Sequence, residues 1–531
     1  MRHQHNKTTP LALARLFSAL LVIAPVSLLA EDTKKPNIMI IMVDDMGYSD
    51  IGCYGGEIKT PNIDRLAADG LRYSQFYNCA RCWPTRASLL TGYYPQAINR
   101  DSVLDIKGGG RNKRPKWAKL LPRYLKNVGY RSYHSGKWHI DGKPVQGGFD
   151  KSYHMRQQDR FFSKSAVAPV YKEFPELRQG KKAYTTSAIA DHAIGVLKDH
   201  HQNHSNKAFF SYVAFTAPHF PLHALPEDIK RVGDRYRVGW DKIREQRWQR
   251  IKKLGLVKAA ELSTVEQDLG PPYHFEKALK TLGDGEINLP IPWTDLTEKQ
   301  KKFQQKKMTL HAAMIERVDI EIGRIIEQVK AMGALEDTLI VFLSDNGASA
   351  EIMVRGDGHD PNASLGSKDT YLCLGPGWST TCNTPFRKHK TWTHEGGSCT
   401  PLIVYYPKMI TTPGEIRRTP GHVIDIVPTV IWLAGVRFSD RVIPFPGDFL
   451  TKSFKQDITT NRTLWWSHEG HHAIRSGEWK LVKSKGGEWE LYNLNKDRTE
   501  TTNLADKYPE KVSSLKKKWQ SQVQKFREIK K

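Results

Sequence analysis

The stretch "PNIMIIMVDDMGYSD", residues 36–50, decides the fold. Residues 38–43 are all apolar, with none of the polar alternation of a strand that faces water on one side. Such a run is expected of a central parallel strand covered on both faces. It ends abruptly in Asp44 and Asp45, followed by Met46 and Gly47. The same design returns far downstream in "DTLIVFLSDNG", where residues 339–343 are apolar and Ser344, Asp345, Asn346 and Gly347 follow. Just before it, "MTLHAAMIERVDIEIGRIIEQVKAMG" has apolar positions at helical spacing and a stop signal at Gly333. Helix-then-strand units recur, 117–128 before "YRSYHSGKWH" and 186–197 before "AFFSYVAFTAPH". This alternation predicts an α/β fold with a largely parallel sheet, whose ligands gather beyond the carboxyl ends of the strands.

Working outward, 531 residues suggest a large domain with a smaller companion. Hydrophobic residues at 39% and aromatics at 10% exclude general disorder. Residues 226–302 read as a charged insertion with helical character, by default a solvated helical face and alternatively a wall of a substrate entrance. After Pro446 the texture changes: "TLWWSHEGHHAIRSGEWKLVKSKGGEWELYNLNKD" alternates short strands with turn residues, as in an antiparallel sheet, and a basic helix follows over 510–530. The expected boundaries are a signal peptide at 1–30, a catalytic domain at 31–450 and a C-terminal subdomain at 451–531.

The leader shows Arg2, Lys7 and Arg15 ahead of an apolar run at 16–23 and small residues up to Ala30, the pattern of an export signal, although Leu28 stands where a small residue is preferred. No run approaches the roughly 18 apolar residues a membrane span needs, so an exported protein, periplasmic or secreted, is expected. The formal charge is +25; without 1–30, 78 basic residues against 56 acidic ones leave +22. That excess points to a polyanionic partner or substrate, solubility being the plainer alternative. Six cysteines (Cys53, Cys79, Cys82, Cys373, Cys382 and Cys399) are too few for a disulfide framework in an exported chain of this length, though Cys373 and Cys382 are spaced to close a small loop.

"NCARCWPTRASLLTG", residues 78–92, poses a choice. Cys79 and Cys82 are spaced C-x-x-C, which by itself suits a redox or metal-binding pair. Yet Pro84 fits the first turn of a helix, which places Cys82 at that helix's positive end, where anions bind, with Arg86 on the same turns.

The run "CWPTRASLLTG" closely resembles the signature of the type I, formylglycine-dependent sulfatases, and the resemblance extends over most of the chain. In that family a maturase oxidises the cysteine to formylglycine (3-oxoalanine), whose hydrated aldehyde is the nucleophile. The resemblance therefore implies that Cys82 is the nucleophile's precursor and leaves Cys79 a small buried side chain. It also implies a calcium ion at Asp44, Asp45, Asp345 and Asn346 together with position Cys82, in keeping with a hard cation's preference for oxygen. Either acid pair taken alone would be read first as strand-end acids capping helices. "SGKWH" is similar to the family's GKWH segment and implies Lys137 on the sulfate and His139 on the formylglycine hydroxyls. "TAPHFPLH" is similar to its APHxP segment and implies His219 as the leaving-group acid. "KTWTHEGG" places Lys390 five residues before Glu395, as in the family's K-x-x-x-x-E-G-G, implying a lysine that faces the ester oxygen; Thr391 and Trp392 depart from the common Gly-Thr there. Arg86 completes the implied catalytic set, and Arg387 and His468 are the substrate-binding candidates.

"HEGHH" at 468–472 formally satisfies the zinc-protease pattern H-E-x-x-H, which needs both histidines on one helical face. Gly470 inside the motif and strand-like flanks argue against it. The segment resembles a C-terminal "HEG" stretch of bacterial polysaccharide sulfatases. The resemblance implies an alkaline-phosphatase-like sandwich, with a large, mostly parallel central sheet flanked by helices and a small C-terminal antiparallel sheet with a helix. It implies a calcium-dependent sulfatase acting on a sulfated carbohydrate, with no nucleic-acid partner. The rival readings are a phosphonate or phosphate ester hydrolase of the same superfamily and a non-catalytic glycan-binding relative.

Overall fold

A computed structural model describes residues 35–103, 110–155, 161–178, 180, 182–258, 261–273, 276–355, 358–437 and 443–529. The expected signal peptide at 1–30 lies outside the described residues. In chain order the strands are β1 (Asn37–Val43), β2 (Leu71–Tyr73), β3 (Phe76–Tyr77), β4 (Arg131–Lys137), β5 (Lys151–Met155), β6 (Phe209–Ala214), β7 (Thr338–Ser344), β8 (Leu402–Tyr405), β9 (Ile416–Arg417) and β10 (Gly421–His422). Four more follow near the C-terminus: β11 (Thr463–His468), β12 (His471–Ser476), β13 (Trp479–Lys483) and β14 (Glu490–Asn493).

The main sheet runs β5-β4-β6-β1-β7-β8-β2-β9. Its five strands from β5 to β7 are parallel; β8 turns antiparallel to β7, with Phe342 opposite Ile403. The lack of alternation in β1 has a direct cause. Met39, Ile41 and Val43 face one core with Val196 and Ile322, while Ile38, Ile40 and Met42 face another with Leu125 and Val427. Helices Thr185–Asn203 and Glu298–Ala331 supply the first core, and Leu121–Lys126 and Ile426–Leu433 the second. Successive side chains alternate faces, so a strand covered on both sides must be apolar throughout.

The long helix Glu298–Ala331 begins ten residues before the periodic stretch at 308, because Thr297 and Gln300 form a capping box there. The helix expected at 117–128 is shorter, Leu121–Lys126, with Pro122 in its first turn. The charged insertion is solvated on one side and packed on the other. In the helix Trp240–Leu254, Trp240, Ile243, Trp248 and Ile251 are buried, and the fully buried Arg247 donates to both Glu57 oxygens at 2.8 Å and to Asp50 at 2.8 Å. Paired on both sides, that arginine tolerates burial among aromatic residues.

β11 to β14 form an antiparallel sheet, and the helix Pro509–Ile529 packs Leu515, Val523 and Phe526 onto Trp465, Ile474, Leu481 and Leu491. β11 and β12 make a hairpin whose two turn residues, Glu469 (φ 46°) and Gly470 (φ 89°), both take the left-handed backbone of a type I′ turn. His468 and His472 therefore sit on opposite faces of a hairpin, which rules out a helical zinc pair. All six cysteines are free, so Cys373 and Cys382 close no loop. No described helix is long and apolar enough to cross a membrane.

Candidate active site

The adjacent parallel strands β4, β6, β1 and β7 end at one edge of the sheet, and each delivers predicted residues there. Lys137 is the last residue of β4, Asp44 and Asp45 follow β1, Asp345 and Asn346 follow β7, and His219 follows β6 by a short loop. Helix Cys82–Thr91 is buried along its whole length, with Cys82 as its first residue and Arg86 one turn on. Thr85 Oγ1 accepts from the Cys79 amide at 3.0 Å, and Gly92 in the left-handed region (φ 79°) ends the helix. Cys79 is buried, its thiol donating to Ser88 at 3.5 Å, so the C-x-x-C spacing makes no sulfur pair.

The cluster is assembled from charge pairs with no exposure to speak of. Arg86 donates to Asp345 Oδ2 through Nε at 2.9 Å, places Nη2 in ion-pair contact with the same oxygen at 2.7 Å and 3.7 Å from Asp44, and reaches the Lys137 carbonyl and Tyr212 hydroxyl at 3.3 and 3.4 Å. Lys137 donates to Asp44 Oδ2. Lys390 bridges Asp45 Oδ2 and Glu351 Oε2, both at 2.8 Å. Asn346 Nδ2 donates to Asp45 Oδ1 at 2.7 Å, and His219 Nε2 stands 3.6 Å from Asp45 Oδ2. Asp45 reaches its place with a left-handed backbone (φ 67°).

Burial opposes ionisation of Asp44, but Lys137, His219 and Arg86 outweigh it and hold the carboxyl well below the usual range. Asp345 goes the other way: burial and then Asp44 push it up to about 7, against Arg86 and Lys137. Burial lowers Lys390's affinity for its proton, yet Asp45 and Glu351 reverse this and keep it firmly cationic. Burial carries His219 down to about 4 and His139 well below the imidazole range, and it raises the Cys82 thiol.

Two oxygens here accept nothing: Asp44 Oδ1 and Asn346 Oδ1 are buried without a hydrogen-bond partner. Asp44, Cys82 and Asp345 each offer an atom within 4.8 Å of the others, as do Asp44, Asp45 and His219. A second buried group, Asp50, His311 and Cys382, meets the same distance test. There Asp50 already accepts from the Gly47 amide at 2.9 Å, from Arg247 and from His311 at 3.1 Å. With a guanidinium on the same carboxylate, that group is a hydrogen-bonded anchor for the loop after Asp45.

Of the two substrate-binding candidates, His468 is brought in: its ring meets Trp83, the neighbour of Cys82, at 5.3 Å. Arg387 is not. Its guanidinium is taken by Glu266 at 3.0 Å, Glu490 at 3.1 Å and the Tyr492 hydroxyl at 2.9 Å, tying the loop before Lys390 to β14. Sequence reasoning missed Glu351, which joins Lys390 to Arg81 (3.1 Å); it lies in no recognisable motif, only six residues beyond Asp345.

Comparison with known proteins agrees with this geometry. The Sulfatase family profile matches residues 36–436, and the profile of the N-sulphoglucosamine sulphohydrolase C-terminal region matches 387–529. An uncharacterized sulfatase of Schizosaccharomyces pombe is 31% identical over 92% of this chain and 93% of its own. The arylsulfatase of Klebsiella aerogenes is 31% identical over 77% and 88%. An N-acetylglucosamine-6-O-sulfatase of Bacteroides thetaiotaomicron is 26% identical over 96% and 90%. Among solved structures, Ps i-CgsB in complex with k-i-k-neocarrahexaose superposes with a TM-score of 0.63 at 23% identity over 94% of both chains. The phosphonate monoester hydrolase of Agrobacterium radiobacter does so at 0.55 and 18%, over 93% of this chain and 96% of its own. With strand-end acids, a cysteine opening a buried helix and buried cations on one sheet edge, this chain belongs to the sulfatase family of sulfuric ester hydrolases.

Proposed function

We propose that this sulfatase hydrolyses sulfate esters of a carbohydrate, using calcium and a formylglycine made from Cys82, and that it works outside the cytoplasm. The observation that carries the reading is the convergence on Cys82 of three cations, two partnerless oxygens and an uncharged imidazole. The carbohydrate follows from relatives whose names specify sugar sulfates, such as the N-acetylglucosamine-6-O-sulfatase. The export reading rests on the pattern at 1–30.

The residues fit a calcium ion. Asp44, Asp45, Asp345 and Asn346 supply oxygen atoms, and two of those oxygens, Asp44 Oδ1 and Asn346 Oδ1, are buried without a hydrogen-bond partner. Bound there, calcium would supply a Lewis acid for a sulfuryl oxygen, and formylglycine at position 82 would supply the attacking hydroxyl. Arg86, Lys137 and Lys390 neutralise charge on the sulfuryl group, acting in a buried site where such contacts are strong. The Phe220 carbonyl, 2.6 Å from His219 Nδ1, fixes the ring proton there and leaves Nε2 a lone pair, so His219 acts as leaving-group acid once Nε2 has taken up a proton, which it then delivers to the departing oxygen. His139 is held neutral by burial and its two nitrogens have no partner, so it can accept a proton from a hydroxyl at position 82.

The phosphonate and phosphate ester rival uses the same type of site and is tested directly. Matched 4-nitrophenyl sulfate, phosphate and phosphonate esters are offered to protein from a maturase-competent host. Dominant sulfate release supports this reading; dominant phosphate or phosphonate release replaces it with the rival. Protein that carries formylglycine, binds sulfated glycans and releases no sulfate points to the non-catalytic alternative.

A further inference from the structure

Beside Cys82 stand three rings that each carry a polar atom with no hydrogen-bond partner among the described residues. Trp83 meets His139 edge-on at 5.8 Å and His468 edge-on at 5.3 Å. The indole Nε1, both His139 nitrogens and His468 Nε2 are buried without a hydrogen-bond partner. Buried polar atoms are satisfied in the great majority of cases, so a contiguous orphan set next to a nucleophile calls for a ligand. His139 has a role in the proposed reaction. Trp83 and His468 have none there.

The other nitrogen of His468 is firmly held. Asp101 Oδ2 lies 2.9 Å from Nδ1, and Asp101 is itself buried. Gln96 Nε2 donates to Asp101 Oδ2 at 3.3 Å and to the Ser467 carbonyl at 2.6 Å, fastening the pair to β11. Glu469 Oε1 stands 3.6 Å from His468 Nε2, beyond hydrogen-bond reach, while its Oε2 accepts from Tyr273 at 3.0 Å. In a neutral imidazole, a carboxylate at Nδ1 accepts a hydrogen bond from the ring proton held there and leaves Nε2 as a lone pair. The wall therefore offers one acceptor, His468 Nε2, and one donor, the Trp83 N–H. A single hydroxyl group satisfies both.

Stacking against Trp83 is blocked on one face, where the Arg111 guanidinium lies 3.9 Å above the ring. Arg111 is exposed, and among the described residues no carboxylate holds it, so it can swing aside to admit a ligand at the ring edge.

We infer that Trp83, His468 and Asp101 form a subsite that reads one hydroxyl of the sulfated sugar, beside the carbon carrying the sulfate. Asp101 is a positioning residue that presents His468 Nε2 as an acceptor. This deepens the carbohydrate sulfatase reading and rests on it.

The test compares kcat/KM for 4-nitrophenyl sulfate with that for monosulfated galactose, glucose, N-acetylgalactosamine and N-acetylglucosamine. The best sugar is then compared with its monodeoxy analogues at the carbons flanking the sulfate. In the wild-type enzyme one deoxy analogue is expected to fall by about a hundredfold, since a site built for a hydroxyl is left with unpaired groups. His468→Ala should lower the sugar-to-aryl ratio by about thirtyfold and no longer distinguish that analogue. Asp101→Asn should lower the ratio by about tenfold, with the same loss of discrimination, which a merely structural role would not produce. Trp83→Phe and His468→Gln preserve bulk and serve if the alanine variant does not fold. Variants that discriminate the deoxy analogue as the wild type does overturn the subsite. So does a wild type that turns over 4-nitrophenyl sulfate yet distinguishes none of the deoxy sugars, and in that case the sulfatase reading stands. Absence of sulfate release from every substrate overturns the reading and the subsite together.

Discussion

Replacing Arg86 by lysine separates geometry from charge at this site. The substitution keeps one positive charge in a fully buried position, so the electrostatic balance among Asp44, Asp345 and their neighbours is preserved. What it removes is the fork. Arg86 makes two charge-assisted contacts to Asp345, at 2.9 and 2.7 Å, and two weaker ones to the Lys137 carbonyl and Tyr212 hydroxyl. An ammonium can retain one of the two strong contacts and lacks the planar donor set to keep the rest. Hydrogen bonds to charged groups contribute about 1.5–3 kcal/mol each, so losing one predicts a fall in kcat/KM of about ten- to a hundredfold. The measurement is 4-nitrophenol release from 4-nitrophenyl sulfate, with circular dichroism to confirm the fold. Arg86→Ala is less informative, because stranding two buried carboxylates is expected to cost about 3–5 kcal/mol of stability. A lysine variant within twofold of wild type would show that charge alone matters and that the fork has no role in holding Asp345.

Four further outcomes follow from the same geometry. Peptide mass spectrometry should find formylglycine at position 82; Cys82→Ala should remove turnover, Cys79→Ser should retain it within about threefold, and an active enzyme bearing only the thiol would refute the mechanism. Chelation should abolish turnover and lower Tm, calcium restoring both, because a ligand bound only by the native state stabilises it; full activity in demonstrably metal-free protein contradicts the site. His219→Ala should lower kcat by about 10²–10⁴-fold on a sugar sulfate and far less on 4-nitrophenyl sulfate, whose leaving group departs without a proton; equal losses would remove His219 from the acid role. Raising salt should increase KM for a multiply sulfated oligosaccharide more than for a monoanionic aryl sulfate, since exposed basic side chains are screened within about 8 Å while the buried cluster is not; identical salt dependence would leave solubility as the meaning of the net charge.

The strand-end residues were legible because each is joined by the chain to a run that can only be a buried parallel strand. Asp44 and Asp345 differ in kind from Lys390, which reaches the cluster from a loop with left-handed backbone at Lys388 (φ 65°) and Thr391 (φ 91°). No periodicity announces such a path, and only the likeness of "KTWTHEGG" to a family segment pointed there. The contact that fixes the loop is backbone against backbone: a Cβ on Gly347 would stand 1.8 Å from the Gly396 carbonyl oxygen, so "SDNG" and "HEGG" meet through their glycines. Arg387 shows the converse. It lies three residues from Lys390 in sequence, yet its side chain closes onto Glu266 and Glu490. Glu351, Arg81 and Asp101 escaped notice because charged residues read as surface unless paired, and pairing is settled only by the tertiary fold.

The pairing within the cluster bears on why a metal and a substrate should depend on one another. Asp44 is taken by Lys137, Asp45 by Lys390, and Asp345 by Arg86. Three carboxylates thus occupy the three cations assigned to the sulfuryl group, and a singly charged sulfate ester entering this set must compete for every one of them. Glu351 complicates the balance only locally, since Arg81 offsets it at 3.1 Å. Under the calcium reading, a divalent cation held by Asp44, Asp45, Asp345 and Asn346 would weaken that competition, because acids that hold a metal have less negative charge left for Lys137, Lys390 and Arg86. Linkage makes the relation reciprocal: whatever the metal adds to sulfate affinity, sulfate adds to metal affinity. Arg86, which holds Asp345 and is assigned to the sulfuryl group, is the side chain at which the two equilibria would meet.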